Sequence, residues 1–468
     1  MKKRSIYLAG IVLLSIVVIV GFFIHGNHDE IDKTVQKYAP TGASIAIIEN
    51  GEIKEIRNYG YANKEEEKFV TNDTRFKIAS ISKTMTSYAV MQLVEEGKLN
   101  LDASVNEYLT KWKIPKSDYG EDNVTLRMLL SHTAGLTGSD ELGYSEPLPS
   151  VDEALRMRDV KLQREPGTQF EYSEFVGHGI CQLVIEEVTG MPFVDYMVSY
   201  VFEPLGMMHT DYTTESNGKG ELAVPYAGNG VGTEVVPIVM NGAGGVTTTS
   251  HDLALFEIAL MKYYHAGSGE MFEEQENTQS EGGTYALGII PRRLSDGTVV
   301  YEHNGTLTGW NAQLAIEPES GNGIAVVTNS DKAYYMTYDL MEIWSKMSLG
   351  EAVVDKLMHQ IEQKTDTVAV GMLIGILIFG TGFVIKWKNK RLIWIRNNRK
   401  IGFCILFFLL AIILDGVLFY TDWVFRFLWK MEDYYLFTFF PLTFRYIQIE
   451  IGSLLILFLI RINMKKKC

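Results

Sequence analysis

The chain has 468 residues, with 57 acidic and 43 basic side chains and a net charge of −14. This acidic balance argues against a nucleic-acid partner. Its three cysteines exclude a disulfide framework, and its nine histidines show no metal-ligand spacing such as H-E-x-x-H, so we expect neither a metal nor another cofactor.

An apolar segment begins the chain. Residues 6–24 follow Lys2, Lys3 and Arg4 and are long enough to span a bilayer. No small-x-small cleavage site follows them, so we interpret residues 1–24 as an uncleaved membrane anchor. A cleaved signal peptide is the alternative.

A β-hairpin is predicted next. Asn50 and Gly51 separate two extended runs, residues 44–48 and 53–61. An Asn-Gly pair between such runs is typical of a tight hairpin turn.

A serine and a lysine then mark the start of a helix that we expect to be amphipathic, with Gly97 as its stop signal. Ser80 and Lys83 lie three residues apart, so they share one face of this helix at the end where backbone N–H groups are free. A close lysine can take the proton of a serine hydroxyl and so make it a nucleophile. This S-x-x-K spacing is a serine-hydrolase signature.

Helices dominate the middle of the chain, and strands return near residue 285. Four extended runs are predicted at residues 285–290, 298–303, 310–316 and 323–328. The simplest packing is an α/β (α+β) architecture in which one antiparallel sheet joins the early hairpin to these late strands, flanked by helices and with a helical subdomain inserted. A cleft between the sheet and the subdomain is then expected, with the start of the Ser80 helix on its floor.

Three further membrane spans are predicted towards the C-terminus, at residues 367–385, 401–420 and roughly 446–460. Basic residues are concentrated at 386–400 and at both ends of the chain, so the positive-inside rule places both termini in the cytoplasm. We therefore predict a multi-pass protein of the plasma membrane.

This topology divides the chain into an anchor (1–24), an extracytoplasmic domain (25–366) and a membrane domain with about three helices (367–468). The middle domain carries a net charge of −26. Polar residues inside the C-terminal spans are compatible with helix–helix contacts that assemble a partner, but simple anchoring is the preferred interpretation.

Other motif matches have structural interpretations. Ser216 and Lys219 repeat the S-x-x-K spacing, but they lie in a polar loop where nothing holds them on one face. Tyr61-Ala62-Asn63 is a literal Y-x-N, but it ends the early hairpin. His132 is expected to hold the turn at residues 131–136 rather than to react.

Six segments together carry a family resemblance. They are residues 75–83 (RFKIASISK), 129–136 (LLSHTAGL), 166–173 (PGTQFEYS), 204–207 (PLGM), 244–249 (GGVTTT) and 303–306 (HNGT). In this order and at these intervals, they resemble the penicillin-binding, class C β-lactamase-like serine hydrolases over roughly residues 35–350. That family includes D-alanyl-D-alanine carboxypeptidases and D-aminopeptidases, and the resemblance implies its β-lactamase/transpeptidase-like fold.

The resemblance implies roles by position. Ser80 matches the nucleophile and Lys83 the lysine of the first motif. Tyr172 matches the tyrosine of the Y-x-N motif, which shuttles the proton with the lysine. His303 matches the first residue of the K-T-G or H-x-G strand, near the carboxylate or acyl side of the substrate, and Gly305 lets the substrate lie close to that strand.

The same strand is expected to bind substrate through Asn304 and Thr306. The resemblance places the oxyanion hole at the backbone N–H groups of Ser80 and Thr306. Two such donors can lower the barrier by a few kcal/mol each. A tyrosine beside a cationic Lys83 is expected to ionise more easily than usual and to serve as a base.

One residue departs from the family pattern. Glu174 stands where the Y-x-N motif has asparagine, and an ionised glutamate cannot donate the amide N–H. Its charge favours protonated Lys83, so we expect Tyr172 to be the base. Glu174 then either pairs with Lys83 or binds a positive substrate group such as a free amine.

These observations predict a membrane-anchored serine hydrolase that cleaves an amide, with a peptide as substrate, of the D-amino-acid type or the prodrug-activating type. Esterase, transacylase or β-lactamase activity on cell-envelope substrates is the alternative, since acyl-enzyme chemistry is shared by all of them. A non-catalytic penicillin-binding sensor or scaffold is the alternative of another class.

Overall fold

The computed structural model describes residues 29–139, 147–228, 230–267, 269–280, 282–389, 392–394, 441–462 and 464–466. The predicted N-terminal anchor and the predicted span at 401–420 lie outside these residues.

The strands of the main sheet lie towards both ends of residues 29–366, with short strands between them and two more strands after residue 366. In chain order they are β1 (Gly42–Glu49), β2 (Glu52–Asn63), β3 (Lys68–Phe69), β4 (Phe76–Lys77), β5 (Leu136–Thr137), β6 (Lys161–Leu162), β7 (Tyr226–Ala227), β8 (Val231–Gly232), β9 (Thr247–Thr248), β10 (Ile290–Arg293), β11 (Val299–Leu307), β12 (Trp310–Glu317), β13 (Asn322–Thr328), β14 (Leu392–Trp394) and β15 (Met464–Lys466).

The helices fall mostly between these two groups of strands. They are α1 (Glu30–Tyr38), α2 (Ile81–Glu95), α3 (Val105–Tyr108), α4 (Leu126–Leu130), α5 (Val151–Met157), α6 (Val176–Thr189), α7 (Phe193–Met197), α8 (Asn241–Gly244), α9 (Ser250–His265), α10 (Tyr334–Leu349), α11 (Lys356–Lys388) and α12 (Thr443–Ile462).

A seven-stranded antiparallel sheet in the order β10-β11-β12-β13-β1-β2-β3 forms the centre of the domain. The predicted hairpin turn is present, because Asn50 and Gly51 both have positive φ (53° and 76°). Strand β1 pairs with β13 from Ala43 opposite Thr328 onwards. The prediction that one sheet joins the early hairpin to the late strands is therefore confirmed.

Two apolar cores lie on the two faces of this sheet. Along β1, Ile45 and Ile47 pack with α1 and α10, whereas Ala46 and Ile48 pack with α9 and the helical subdomain. Successive side chains of a strand point to opposite faces, so a fully apolar strand is buried from both sides. The sheet is thus covered by helices on each face.

Helix α2 differs from the expectation of an amphipathic helix. Every residue from Ile81 to Met91 is buried. The helix packs against α6, α8 and β11, so it is a central helix with no solvent face at its start. The expectation was wrong because the polar residues of this helix are satisfied by partners inside the protein: Thr86 Oγ1, for example, donates to the Gly242 carbonyl oxygen at 2.8 Å.

The extended run predicted at residues 285–290 is not a strand before Ile290. Gly288 has φ +75°, and its N–H donates to the carbonyl oxygen of Leu130 at 3.0 Å. A left-handed residue interrupts an extended chain, so the segment turns here and the strand begins two residues later.

Two long helices follow the domain. Helix α11 has 33 residues and covers the predicted span at 367–385, and α12 covers the one at 446–460. The two helices pack against each other. Within the part of the chain that the structure describes, α11 is the helix that is long and apolar enough to cross a membrane.

The strand that leads to Ser80 carries buried charges. Arg75 pairs with Asp211 at 2.8 Å, and Lys77 donates to the Gly245 carbonyl oxygen at 3.2 Å. Lys77 is 1% exposed. Burial lowers the pKa of Lys77 from 10.5 to about 8, with Asp211 opposing this effect and Arg75 adding to it.

This lowered pKa makes stability depend on pH. Below about pH 8 the fold contains a buried cation, and between about 8 and 10.5 the folded state loses its proton before the unfolded state does, so stability increases with pH. We expect Lys77→Met to raise the free energy of unfolding near neutral pH by up to roughly 3 kcal/mol. The gain should vanish near pH 10.5. Urea denaturation of both proteins across this range tests the prediction, which a pH-independent difference would contradict.

Candidate active site

Ser80 lies at the N-cap of α2, where the chain turns from β4 into the helix. Its side chain makes no capping hydrogen bond, so the hydroxyl is not used to close the helix. Ala79, just before it, has φ +45°. A left-handed conformation is uncommon for a residue with a Cβ, and it is maintained only where the surroundings hold it in place.

Lys83 projects from the first turn of α2 and is fully buried. Its Nζ donates to Ser80 Oγ at 3.1 Å and to the carbonyl oxygen of Ala243 at 2.9 Å. The predicted contact between the amine and the hydroxyl is thus present. By contrast, Ser216 and Lys219 of the second S-x-x-K copy have different partners. Ser216 Oγ accepts the Leu222 N–H, and Lys219 Nζ donates to the Thr210 carbonyl oxygen.

Tyr172 completes a group of three. Its hydroxyl lies within hydrogen-bonding reach of Ser80, and Lys83 Nζ lies 5.1 Å from the centre of its ring. The structure therefore brings together a hydroxyl, an amine and a phenol from two distant parts of the chain, as the sequence predicts.

The expected ionisation of Tyr172 is wrong in direction. Burial and the Glu174 carboxylate raise its pKa, and the hydrogen bond with Ser80 offsets only part of this. The ring is 37% exposed, so water moderates the effect of burial. The resting side chain is a phenol, because the nearby carboxylate opposes a second negative charge.

His132 holds Tyr172 in place, a role that the sequence did not reveal. Its Nδ1 accepts the N–H of Ser173 at 3.0 Å, and its carbonyl oxygen accepts the N–H of Glu171 at 2.9 Å. Its ring lies 4.3 Å from that of Tyr172. We expected His132 to hold its own turn, but it also fixes the residues on either side of Tyr172. The indication of this role in the sequence was the position of His132 within the family-like segment LLSHTAGL, residues 129–136.

His303 lies behind the cleft and not on its wall. It is 2% exposed, its Nδ1 lies 2.6 Å from the Asn304 carbonyl oxygen, and its Nε2 lies 2.7 Å from the Tyr285 hydroxyl. An imidazole that donates from Nδ1 accepts at Nε2, so Tyr285 is the donor. Burial, with a contribution from Lys83, lowers the pKa of His303 to about 3. The structure therefore places the His303 ring behind the cleft lining, and its role towards a substrate carboxylate stays a prediction.

Gly305 is required by the protein's own backbone. A Cβ at this position would lie 2.0 Å from the Ile78 carbonyl oxygen and 3.2 Å from the Ser80 nitrogen. The resemblance implies that this glycine lets substrate approach the strand. The structure shows that it also lets the backbone turn at residues 78–80 pack against the strand. Strand β11 is consequently in direct contact with the backbone at Ser80.

The outer edge of β11 is open beside this turn. Strand β10 pairs with β11 only up to Glu302, and no other described strand covers the edge from His303 to Leu307. Such an edge leaves backbone groups free to pair with an extended ligand.

The cleft wall contains the remaining predicted substrate-binding residues. Its lining is Ala79, Ser80, Tyr172, Glu174, Phe175, Ala243, Gly244, Asn304, Thr306, Leu307 and Tyr334. Glu174 is exposed at its mouth. Among these lining residues there is no lysine or arginine. Within the described residues, no group of three or more His, Cys, Asp or Glu side chains is placed to hold a metal ion.

Comparison with known proteins identifies the family. The family model for β-lactamase matches residues 28–345, which is more than half of the chain. The chain belongs to the β-lactamase family. Its fold is that of class C β-lactamases and penicillin-binding proteins of known structure.

Curated relatives of this β-lactamase-family chain include protein flp of Staphylococcus aureus strain MRSA252, which is 27% identical over 318 residues. The match covers 65% of this chain and 62% of flp, so the chain spans about three fifths of that relative's length. Esterase EstB of Burkholderia gladioli is 32% identical over 209 residues, covering 42% of this chain and 52% of EstB.

Solved structures share the fold. A penicillin-binding protein homologue from Pyrococcus abyssi, described as octameric, superposes with a TM-score of 0.60 at 24% identity, covering 72% of this chain and 80% of that one. A class C β-lactamase superposes with a TM-score of 0.56 at 24% identity, covering 68% and 97%.

The contact at Gly305 leads to a prediction. Gly305→Ala forces β11 away from Ser80, and a displacement of about 1 Å at a reacting group costs on the order of 100-fold in rate. We expect a loss of this size in the rate at which an active-site serine probe labels the protein. Gly218→Ala is the control, because nothing lies within 4 Å of a Cβ there. Equal labelling of the two variants would contradict the prediction.

Proposed function

We propose that this serine hydrolase is anchored in the membrane and acts from Ser80, through an acyl-enzyme, on an extracytoplasmic amide, with a peptide as its substrate. Ser80, Lys83 and Tyr172 are the proposed catalytic residues. The observation that carries the proposal is the contact of Lys83 Nζ with Ser80 Oγ at 3.1 Å, with the Tyr172 hydroxyl in reach of the same oxygen.

The proposed reaction follows from these positions. Lys83 in its neutral form takes the Ser80 proton as Oγ bonds to the substrate carbonyl carbon. The backbone N–H groups of Ser80 and Thr306 stabilise the resulting oxyanion. Tyr172, a phenol at rest, passes a proton to the leaving amine and regains one from Lys83. Water then attacks the acyl-enzyme by the reverse transfers and releases Ser80.

The charges around the cleft support a substrate that is neutral or positive at the group next to Glu174. The lining includes Glu174 and no arginine or lysine, and the neutral His303 supplies no cation for a carboxylate. The open edge of β11 offers backbone pairing to an extended peptide. Asn304, Thr306 and Leu307 are the residues of that strand that line the cleft.

Esterase activity is the second candidate. The 32% identity to esterase EstB over 209 residues favours it, because an acyl-enzyme site accepts esters as well as amides. The structural likeness to a class C β-lactamase keeps β-lactam hydrolysis as a further candidate.

Membrane anchoring is proposed on hydropathy. Helix α11 satisfies the length and composition of a span. With the apolar segments at 6–24, 401–420 and 446–460, we propose four spans, both termini in the cytoplasm, and a hydrolase domain at 25–366 that lies outside.

A fluorophosphonate probe tests the nucleophile. We expect the protein to be labelled, Ser80→Ala to lose the label, and Lys83→Met to label at least about 100-fold more slowly because the base is removed. Ser216→Ala, in the second S-x-x-K copy, is the control and should label normally. An unlabelled native protein would favour the non-catalytic sensor or scaffold.

Glu174 is tested with a matched pair of substrates. We expect Glu174→Gln to lower kcat/KM for a D-alanyl anilide with a free amine about tenfold more than for its N-acetylated form, because only the former presents a cation. Glu171→Gln is the control, since Glu171 pairs with Arg164 and does not line the cleft. Equal losses of kcat/KM on both substrates would indicate that Glu174 pairs with Lys83 and does not bind the substrate amine.

A further inference from the structure

Arg292, on β10, joins three separate parts of the chain. Its Nε and Nη2 donate to Glu302 Oε1 at 3.0 and 2.8 Å, and Nη2 also donates to Asp355 Oδ2 at 2.7 Å. Its Nη1 donates to the carbonyl oxygen of Gly282. The three charged side chains are only 13%, 1% and 8% exposed for Arg292, Glu302 and Asp355.

Glu302 connects this bridge to the active-site strand. It precedes His303 on β11, and its second oxygen accepts Gln313 Nε2 from β12 at 2.8 Å. Burial raises the pKa of Glu302, while Arg292 opposes that rise. A buried carboxylate is costly without a paired cation. The position of Arg292 therefore determines the position of the strand at Glu302.

Asp355 connects the bridge to the base of α11. Its Oδ1 caps the helix by accepting the N–H groups of Leu357 and Met358 at 3.0 Å each, while Oδ2 accepts from Arg292. One carboxylate therefore both starts the long helix and pairs with the cation that supports β11.

The base of α11 is held at a second point. Glu362 accepts the Tyr38 hydroxyl at 3.2 Å, and the same hydroxyl donates to Asp339 at 2.8 Å. Met358 and Ile361 pack against the core that α1 and α10 share. The connection from α10 is packed too, since the Val353 N–H donates to Ser345 Oγ at 2.8 Å. These contacts join residues beyond position 345, where the family match ends, to residues within the match.

A polar path also leads from the bridge to the cleft wall. Tyr338 hydrogen-bonds to Tyr334, which lines the cleft. Burial raises the pKa of both phenols, and the charges of Glu302 and Asp355 raise it further. The bridge is therefore next to the site on two sides, along β11 and through α10.

We propose that Arg292 and Asp355 are positioning residues for the reaction at Ser80, and that the base of α11 is part of the catalytic unit. Arg292 holds β11 at the correct distance from Ser80 only when the Asp355 carboxylate accepts the hydrogen bond from its Nη2. The proposal rests on the proposed function for its kinetic consequence, but the mechanical link between α11 and β11 does not depend on it.

Substitutions in the full-length, detergent-solubilised protein separate these effects. Asp355→Asn keeps the capping oxygen and removes the charge. We expect it to lower the saturating rate of fluorophosphonate labelling about tenfold, with little change in the concentration for half-maximal rate, because orientation and not binding is lost. Asp355→Glu, which restores the charge, should recover most of the rate. Arg292→Lys should be intermediate, since an ammonium lacks the fork of the guanidinium.

Asp29→Asn is the matched control. Asp29 also caps a helix, α1, and also pairs with an arginine, Arg57, but that pair does not contact β11. Its labelling rate should stay within about twofold of the native value. In parallel, hydrogen–deuterium exchange of residues 299–307 should be faster in Asp355→Asn and unchanged in Asp29→Asn.

Three results are distinguishable. Slower labelling with faster exchange in β11 supports the proposal. A lower unfolding temperature alone, with native labelling and native exchange in β11, would overturn it and leave the bridge as a stabiliser of the fold. Absence of labelling in the native protein would refute the proposed function, and the exchange comparison would still decide whether α11 is linked to β11.

Discussion

The rest of the site depends on one buried amine. Lys83 is fully enclosed, and its Nζ donates to Ser80 Oγ and to the Ala243 carbonyl oxygen. A group that can be charged is buried only where oxygens replace its water, so these contacts tie α2 to α8 and fix the serine hydroxyl at the same time. This explains why α2 is a central helix: an amphipathic surface helix would leave Lys83 in water, where its contact with Ser80 would compete with solvent.

Burial lowers the pKa values of the surrounding imidazoles, and the same amine adds to this effect. These imidazoles are the side chains of His132, His178 and His303. Neutral imidazoles act here as hydrogen-bonding groups: His132 accepts the Ser173 N–H, and His303 accepts the Tyr285 hydroxyl. In the proposed mechanism the amine and the phenol are then the groups that exchange protons, and the cleft lining contains no lysine or arginine.

Residue spacing within one helix or strand predicted the contacts inside that element. It did not predict which face of a strand lies against a neighbouring element. The three-residue spacing on a helix is enough to place Lys83 beside Ser80. The alternation of a strand separates His303 and Gly305 from Asn304 and Thr306. The face that meets the cleft is decided by α2, which packs on β11, and by α10, which packs on β12 and β13 of the same sheet. The sequence therefore predicts the strand, whereas the structure is needed to show that His303 is buried and that Asn304 and Thr306 line the cleft. The role of His132 was missed for the same reason, because its partners at Glu171 and Ser173 lie about forty residues away and its own φ of +59° is not visible in a motif.

The geometry of α11 connects the proposed anchor to the site. A helix of 33 residues is about 50 Å long, whereas the apolar layer of a bilayer is about 30 Å thick. In the proposed topology about a dozen residues of α11 therefore lie outside that layer, and its N-terminal turns carry Glu362, Lys364 and Asp366 before the apolar run. These are the turns that Asp355 and Glu362 attach to the catalytic domain through Arg292 and Tyr38. In the proposed topology the domain is thus held next to the membrane by a packed helix base and not by a flexible tether. In that proposed topology, the axis of α11 sets the orientation of the domain that carries Ser80.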